Sequence, residues 1–131
     1  MPAVNWLAVI AATIAAFMLG GLWYSPLLFA KAWQRAAGLS DEAIANANLP
    51  MIFGLAFVFT ALMAVNLAFF VAGADLTMTL AYSLAAGLGW AAFGLFVVAL
   101  FERRPPAYFL INGGYLTLMF LLMGLILGLW R

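Results

Sequence analysis

Residues 19–33 read L19-G-G-L-W-Y-S-P-L-L-F-A-K-A-W33. An apolar helical run arrives at Tyr24, Pro26 interrupts it, and Lys31 and Arg35 then bring charge. Proline inside a helix removes one backbone donor, here the one the Leu22 carbonyl would use. A continuous helix from Val4 to Ala30 would measure about 40 Å at the helical rise. The hydrocarbon core of a bilayer is about 30 Å thick. The surplus has to tilt or bend, and Pro26 is where a bend is expected. Residues 29–37 would then lie along the membrane surface, with Lys31 and Arg35 among the headgroups and Trp33 beneath them.

Composition makes the membrane reading firm. Of 131 residues, 69% are hydrophobic and 7% charged, against about 45–50% and about 25% in a soluble domain. A chain this short has too little interior to hide that much apolar surface from water. Four stretches are apolar over the length a span requires: 4–30, 50–72, 76–101 and 107–130. They predict an all-α, integral-membrane four-helix bundle forming a single domain over 1–131. The start, M1-P-A-V-N-W-L, lacks the basic n-region of a secretory signal and its apolar run outlasts an h-region. Ala11, Ala12, Ala15 and Ala16 resemble a cleavage site, but the run continues past them.

The breaks between spans are short. G73-A-D-L is a tight turn, and E102-R-R-P-P-A is a charged corner whose prolines suit the entrance of the next helix. Only 31–49 is long enough to hold structure of its own. Gly38 is a helix stop, and S40-D-E reads as an N-cap with two acids in the first turn. A short interfacial helix is expected over 41–48, between the first and second spans.

Lys31, Arg35, Arg103 and Arg104 fall in the first and third connections, with only Arg131 on the other side. The positive-inside rule then places those connections in the cytoplasm and both termini outside. A bacterial inner membrane is the expected location. Small residues recur every fourth position: Ala8, Ala12, Ala16 and Gly20; Ala56, Thr60, Ala64 and Ala68; Ser83, Gly87 and Ala91; Gly124 and Gly128. Such stripes let helix backbones approach closely. Most are needed inside the bundle, and the Gly124–Gly128 pair is the one expected to meet a second copy in a homo-oligomer.

Little in the sequence speaks for chemistry. The net charge of +1, with scattered cations, gives no nucleic-acid surface. The chain has no cysteine and no histidine, which removes the usual zinc and haem ligands. No carboxylate lies at mid-span, where it would mark a proton or ion path. Neither a metal nor a cofactor is expected, and weight falls against an enzyme without closing the question. The interior polar groups are Asn66, Tyr82, Ser83, Asn112, Tyr115 and Thr117, which read first as hydrogen-bonding glue between helices.

One end is richer. Tyr108, Asn112 and Tyr115 share a helix face at spacings of four and three. The expected topology sets them level with Trp23, Tyr24 and Ser25. These residues would form an aromatic belt, or a pocket for a lipid or amphipathic small molecule at Trp23, Tyr24, Ser25, Asn112 and Tyr115. Lys31, Arg35, Arg103 and Arg104 would stand at its mouth. Gly113 and Gly114 favour a close approach there, since paired glycines weaken a helix unless something packs on them.

N5-W-L-A-V, L19-G-G-L-W-Y-S-P-L-L-F-A-K-A-W33 and R104-P-P-A-Y-F-L-I-N-G-G-Y115 together resemble the bacterial membrane proteins grouped as domain of unknown function 1761. The resemblance covers nearly the whole chain, and W-Y-S-P-L-L-F followed by K-x-W is its most specific piece. Ala30 stands where that family tends to carry glycine. The resemblance implies a compact bundle of about four spans and supplies no activity. Small multidrug exporters are set aside because 4–30 holds no glutamate, and glutathione-linked membrane enzymes because the spans lack charged helices. The leading reading is a structural or ligand-binding bundle in the bilayer. The alternative is a permease or channel component with Asn66, Ser83 and Asn112 lining its path.

Overall fold

The computed structural model describes residues 3–131. Met1 and Pro2, where the sequence was read for a signal, lie outside the described residues. Among the described residues six helices follow in order: α1 (Trp6–Trp23), α2 (Ala30–Ala37), α3 (Asp41–Ala45), α4 (Leu49–Val71), α5 (Leu76–Phe101) and α6 (Pro106–Leu129). Four of them, α1, α4, α5 and α6, are long and apolar enough to cross a membrane. The fold is all-helical, with two short helices between the first two long ones.

Side-chain caps fix most helix starts, because the first backbone N–H groups of a helix have no partner within it. Asn5 Oδ1 accepts from the N–H groups of Leu7 and Ala8, Ser40 Oγ from Ala43, Asn48 Oδ1 from Met51, and an Asp75 carboxylate oxygen from Met78. Pro106 opens α6, where its missing donor costs nothing. Helix ends are as specific. Gly38 takes a left-handed conformation (φ 71°), and the Gly38 and Leu39 N–H groups donate to Arg35 and Gln34. Gly73 (φ 82°) follows Ala72 in a type II turn closed by Ala74 N–H to the Val71 carbonyl at 3.0 Å. At the end of α5 the left-handed position belongs to Arg103 (φ 59°), with Arg103 and Arg104 donating to Leu100 and Ala99.

The first span is shorter than 4–30. At Pro26 the chain breaks, where a bend within a continuous helix was expected. Helix α1 stops at Trp23, residues 24–29 turn, and α2 begins at Ala30. The Leu22 carbonyl is not orphaned, since the Ser25 N–H (3.1 Å) and Ser25 hydroxyl (2.7 Å) both donate to it. Helix α2 leaves Lys31 and Arg35 exposed.

Helix α6 is the hub and packs against α1, α2, α4 and α5. The core is made of small residues: Ala8, Ala12, Ala16, Ala64 and Ala68, closed by Leu67, Val71, Met119, Met123 and Leu127. Large side chains face outward along every span. That inversion suits lipid, where packing contact and not water exclusion draws helices together. The stripe 8–12–16 is the inner face of α1, and Thr60, Ala64 and Ala68 serve α4, with Ala56 outside. In α5 the buried positions run Ser83, Gly87, Ala92 and not Ala91. The reason is a π-helical segment, Ala85–Ala92, in the middle of α5. Its wider turns advance the inward face by five residues instead of four.

The expectation for Gly124 and Gly128 is corrected. A Cβ at Gly124 would fall 2.6 Å from Ser83 Cβ, and one at Gly128 would fall 2.8 Å from Leu76 Cδ1. Both glycines are used inside the bundle, seating α6 on α5, and neither offers a face to a second copy.

Candidate functional site

The break after α1 holds the chain against α6. Trp23 ends α1 with its indole N–H donating to the Ile111 carbonyl at 2.8 Å. The Tyr24 hydroxyl donates to Asn112 Oδ1 at 2.5 Å. One turn further along α6, the Tyr115 hydroxyl donates to the Ala16 carbonyl at 3.3 Å. The rings interlock too: Tyr24 meets Tyr115 edge-on at 5.3 Å and Trp33 at 5.7 Å, and Trp23 packs on Phe29 at 4.7 Å.

Glycines make this approach possible. A Cβ at Gly20 would sit 2.8 Å from the Tyr115 hydroxyl, and one at Gly114 would sit 3.1 Å from Trp23 Cζ2. Gly113 faces the other way and takes the Phe96 ring, 2.4 Å from where its Cβ would stand. The Gly113–Gly114 pair therefore receives an aromatic side chain on each side.

Tyr24 lies past the end of α1. Burial, with Tyr115 and Tyr108 adding to it, pushes its phenol above the ordinary tyrosine range. It remains a hydrogen-bond donor throughout the physiological pH range. Asn112 accepts through Oδ1, and among the described residues no acceptor is bonded to its Nδ2.

Arg104 carries the site outward. Its Nη1 donates to the Ala37 carbonyl at the end of α2 (2.8 Å), and its guanidinium lies 5.5 Å over the Tyr108 ring. Glu102 Oε1 is 3.9 Å from Arg104 Nε, outside hydrogen-bond reach, and that Nε–H is buried without a partner. Lys31, Arg35 and Arg103 are exposed around it. The corner thus gathers four cations, with the Glu102 carboxylate beside Arg104 and Asp41 held by Gln34 of α2.

Of the residues read from sequence, Trp23, Tyr24, Asn112 and Tyr115 come together, with Arg104 beside them. Ser25 does not join them, because its hydroxyl turns back on Leu22. The residues weighed for a path do not converge. Asn66 is on the exposed face of α4 and donates to Leu62 within its own helix (2.9 Å). Ser83 is buried against Gly124 and donates to Thr79 (2.7 Å). Twelve residues separate Gly124 from Asn112 along α6, about 18 Å.

Among the described residues, cavities also lie away from this corner. One, about 330 Å³, is an apolar groove between α1 and α4 lined by Trp6, Val9, Ile10, Phe57 and Val65. Another, also about 330 Å³, is at the end of the bundle where the termini meet and is lined by Val4, Asn5, Ala68, Val71, Leu127 and Arg131. There Arg131 donates to the carbonyls of Val71 and Ala74 and to the Thr79 hydroxyl, and Asn5 Nδ2 donates to the Trp130 carbonyl. The Val71 carbonyl closes α4 and the Ala74 carbonyl belongs to the turn that follows, so the guanidinium complements the C-terminal end of that helix. Sequence showed Arg131 only as a lone charge, because its partners are more than 50 residues away.

A family model described as "Protein of unknown function (DUF1761)" matches residues 7–128. The chain belongs to that family. No curated protein and no solved structure matches it.

Proposed function

We propose that this member of a family of unknown function is a non-enzymatic bundle that binds the headgroup of an anionic lipid or similar amphiphile. Its site is the corner where α1, α2 and α6 meet. We place it in a bacterial inner membrane as a homo-oligomer, with that corner cytoplasmic. One observation carries the reading: Asn112 Nδ2 and Arg104 Nε–H, neither with an acceptor bonded to it among the described residues, stand in a corner flanked by Lys31, Arg35 and Arg103. Unpaired donors seek acceptors, and a phosphate headgroup supplies several in one group. The interlocked rings of Trp23, Tyr24 and Tyr115 give the corner a fixed shape, and the outer apolar surface keeps it at headgroup depth.

The test is lipid retention by native mass spectrometry after release from nanodiscs. The chain should keep phosphatidylglycerol over phosphatidylcholine. K31Q/R35Q should weaken that preference about thirtyfold, on the scale of about 1 kcal/mol per surface cation. N112L should weaken it further. Equal retention of both lipids, or no change in either variant, refutes the reading. A phosphate-buffer arm separates the lipid headgroup from free phosphate, which should not displace it.

A further inference from the structure

Two polar groups on the lipid-facing surface have no acceptable partner in lipid. Asn66 lies on the exposed side of α4, opposite the buried Ala64 and Ala68. It is five residues from the helix end at Val71 and seventeen from Leu49. Those positions put it inside the hydrocarbon by the helical rise. One amide N–H is bonded to Leu62, and among the described residues nothing donates to Asn66 Oδ1.

Trp90 is the second. The other four tryptophans, Trp6, Trp23, Trp33 and Trp130, stand at or beyond the ends of spans, at the depth where tryptophan normally sits. Trp90 stands in the middle of α5, within its π-helical segment, and is 68% exposed. Its indole N–H has no acceptor among the described residues. The two groups belong to one patch. Phe70 is one turn beyond Asn66 on the same face of α4, and its ring meets the Trp90 ring edge-on at 5.7 Å.

We propose that this patch, Leu62, Asn66, Phe70 and Trp90, is the interface between two copies of the chain. In a two-fold pair the same surface meets itself, so the orphan acceptor of one copy can take the orphan donor of the other, twice. An acyl chain can satisfy neither group, and polar pairing between helices is the ordinary remedy in a membrane. Exposed Leu62 and Phe70 supply the apolar contact around the pair. The inference rests on the homo-oligomeric part of the preceding reading and names its face.

The chain has no cysteine, so single cysteines report contacts without background. In native membranes under mild oxidation, L62C should form a disulfide-linked dimer, and M18C, on the exposed side of α1, should not. Adding N66L or W90F to L62C should cut the linked fraction about tenfold, the scale of two reciprocal membrane hydrogen bonds. N66Q, which keeps an amide, should retain more of it than N66L. If L62C links no better than M18C, or N66L leaves linking unchanged, this face is wrong. The mass of the detergent-solubilised wild-type chain separates the two failures. A dimer with an unlinked L62C removes only the face, and a monomer removes the homo-oligomer as well.

Discussion

At the scale of single residues, the Tyr24–Asn112 bond is the most exacting contact at the candidate site. Truncating the acceptor in N112L leaves a buried phenol unpaired, which should cost about 1–3 kcal/mol. Y24F removes the donor instead and should cost less, about 0.5–1.5 kcal/mol. The double variant should be less destabilised than the sum, since the two act through one bond. Melting temperatures in detergent would show this, and strict additivity would dissociate the pair. The raised phenol of Tyr24 also has a signed consequence. An unfolded tyrosine ionises near about pH 10, while the folded Tyr24 stays neutral there. Its contribution is complete below that pH and is lost progressively above it, until the folded phenol ionises as well. Y24F should therefore lose less stability than wild type between neutral pH and about pH 11. Arg103 offers a gain: a left-handed conformation costs a side chain about 1–2 kcal/mol, so R103G should raise the melting temperature. The Tyr24 partner Asn112 was legible in the sequence as a shared level and a shared face, whereas the Ile111 carbonyl that takes the Trp23 indole was not, because a backbone acceptor leaves no mark in residue type. The role of Ser25 was not, because Pro26 alone does not say which group will take the Leu22 carbonyl.

Helices are where the sequence was easiest to read and where the π-segment escaped it. Apolar length, Gly38, Ser40 and the paired prolines mark the elements by mechanisms that are local, so they can be read without the fold. The i, i+4 stripes found the inner faces of α1 and α4 for the same reason. The stripe of α5 failed after Gly87, because a π-helical step is decided by what α6 presents and not by local propensity. A Cβ at Gly87 would lie 2.7 Å from Phe120 Cβ and 3.2 Å from the Leu116 carbonyl oxygen. Glycines divide accordingly. Gly54 and Gly94 have open space around them, and G54A or G94A should stabilise by about 0.4–1 kcal/mol through reduced freedom of the unfolded chain. G124A drives a methyl into Ser83 and should destabilise by about 1–3 kcal/mol, as overpacking does. Thermal unfolding of these variants would check the split, and a G124A as stable as wild type would mean the α5–α6 seam can open. The Gly124–Gly128 motif misled for a plain reason. Spacing shows that a close approach is allowed, and only the fold shows which helix makes it.

For the whole molecule, the positive-inside rule makes the cations the expected determinant of how the bundle stands in the bilayer. Four of the five lie at the end carrying α2 and the α5–α6 corner, and Arg131 alone lies at the other. Arg104 and Arg131 each bond backbone carbonyls, while Lys31, Arg35 and Arg103 are exposed. Those three can therefore be neutralised without removing a contact that supports the fold. Doing so leaves one cation on each side, and the bias that orients a short-loop protein disappears. Cysteine reporters can follow this in an otherwise cysteine-free chain. L39C, between α2 and α3, should resist a membrane-impermeant maleimide in intact cells and react after permeabilisation. T77C, exposed at the start of α5, should react from outside without it. In the K31Q/R35Q/R103Q background both positions should become partly reactive in intact cells, as two orientations coexist. Labelling of L39C in intact cells with the native charges would invert the topology and place the basic corner outside. Retention of a single orientation in the neutralised variant would mean that something other than loop charge sets it.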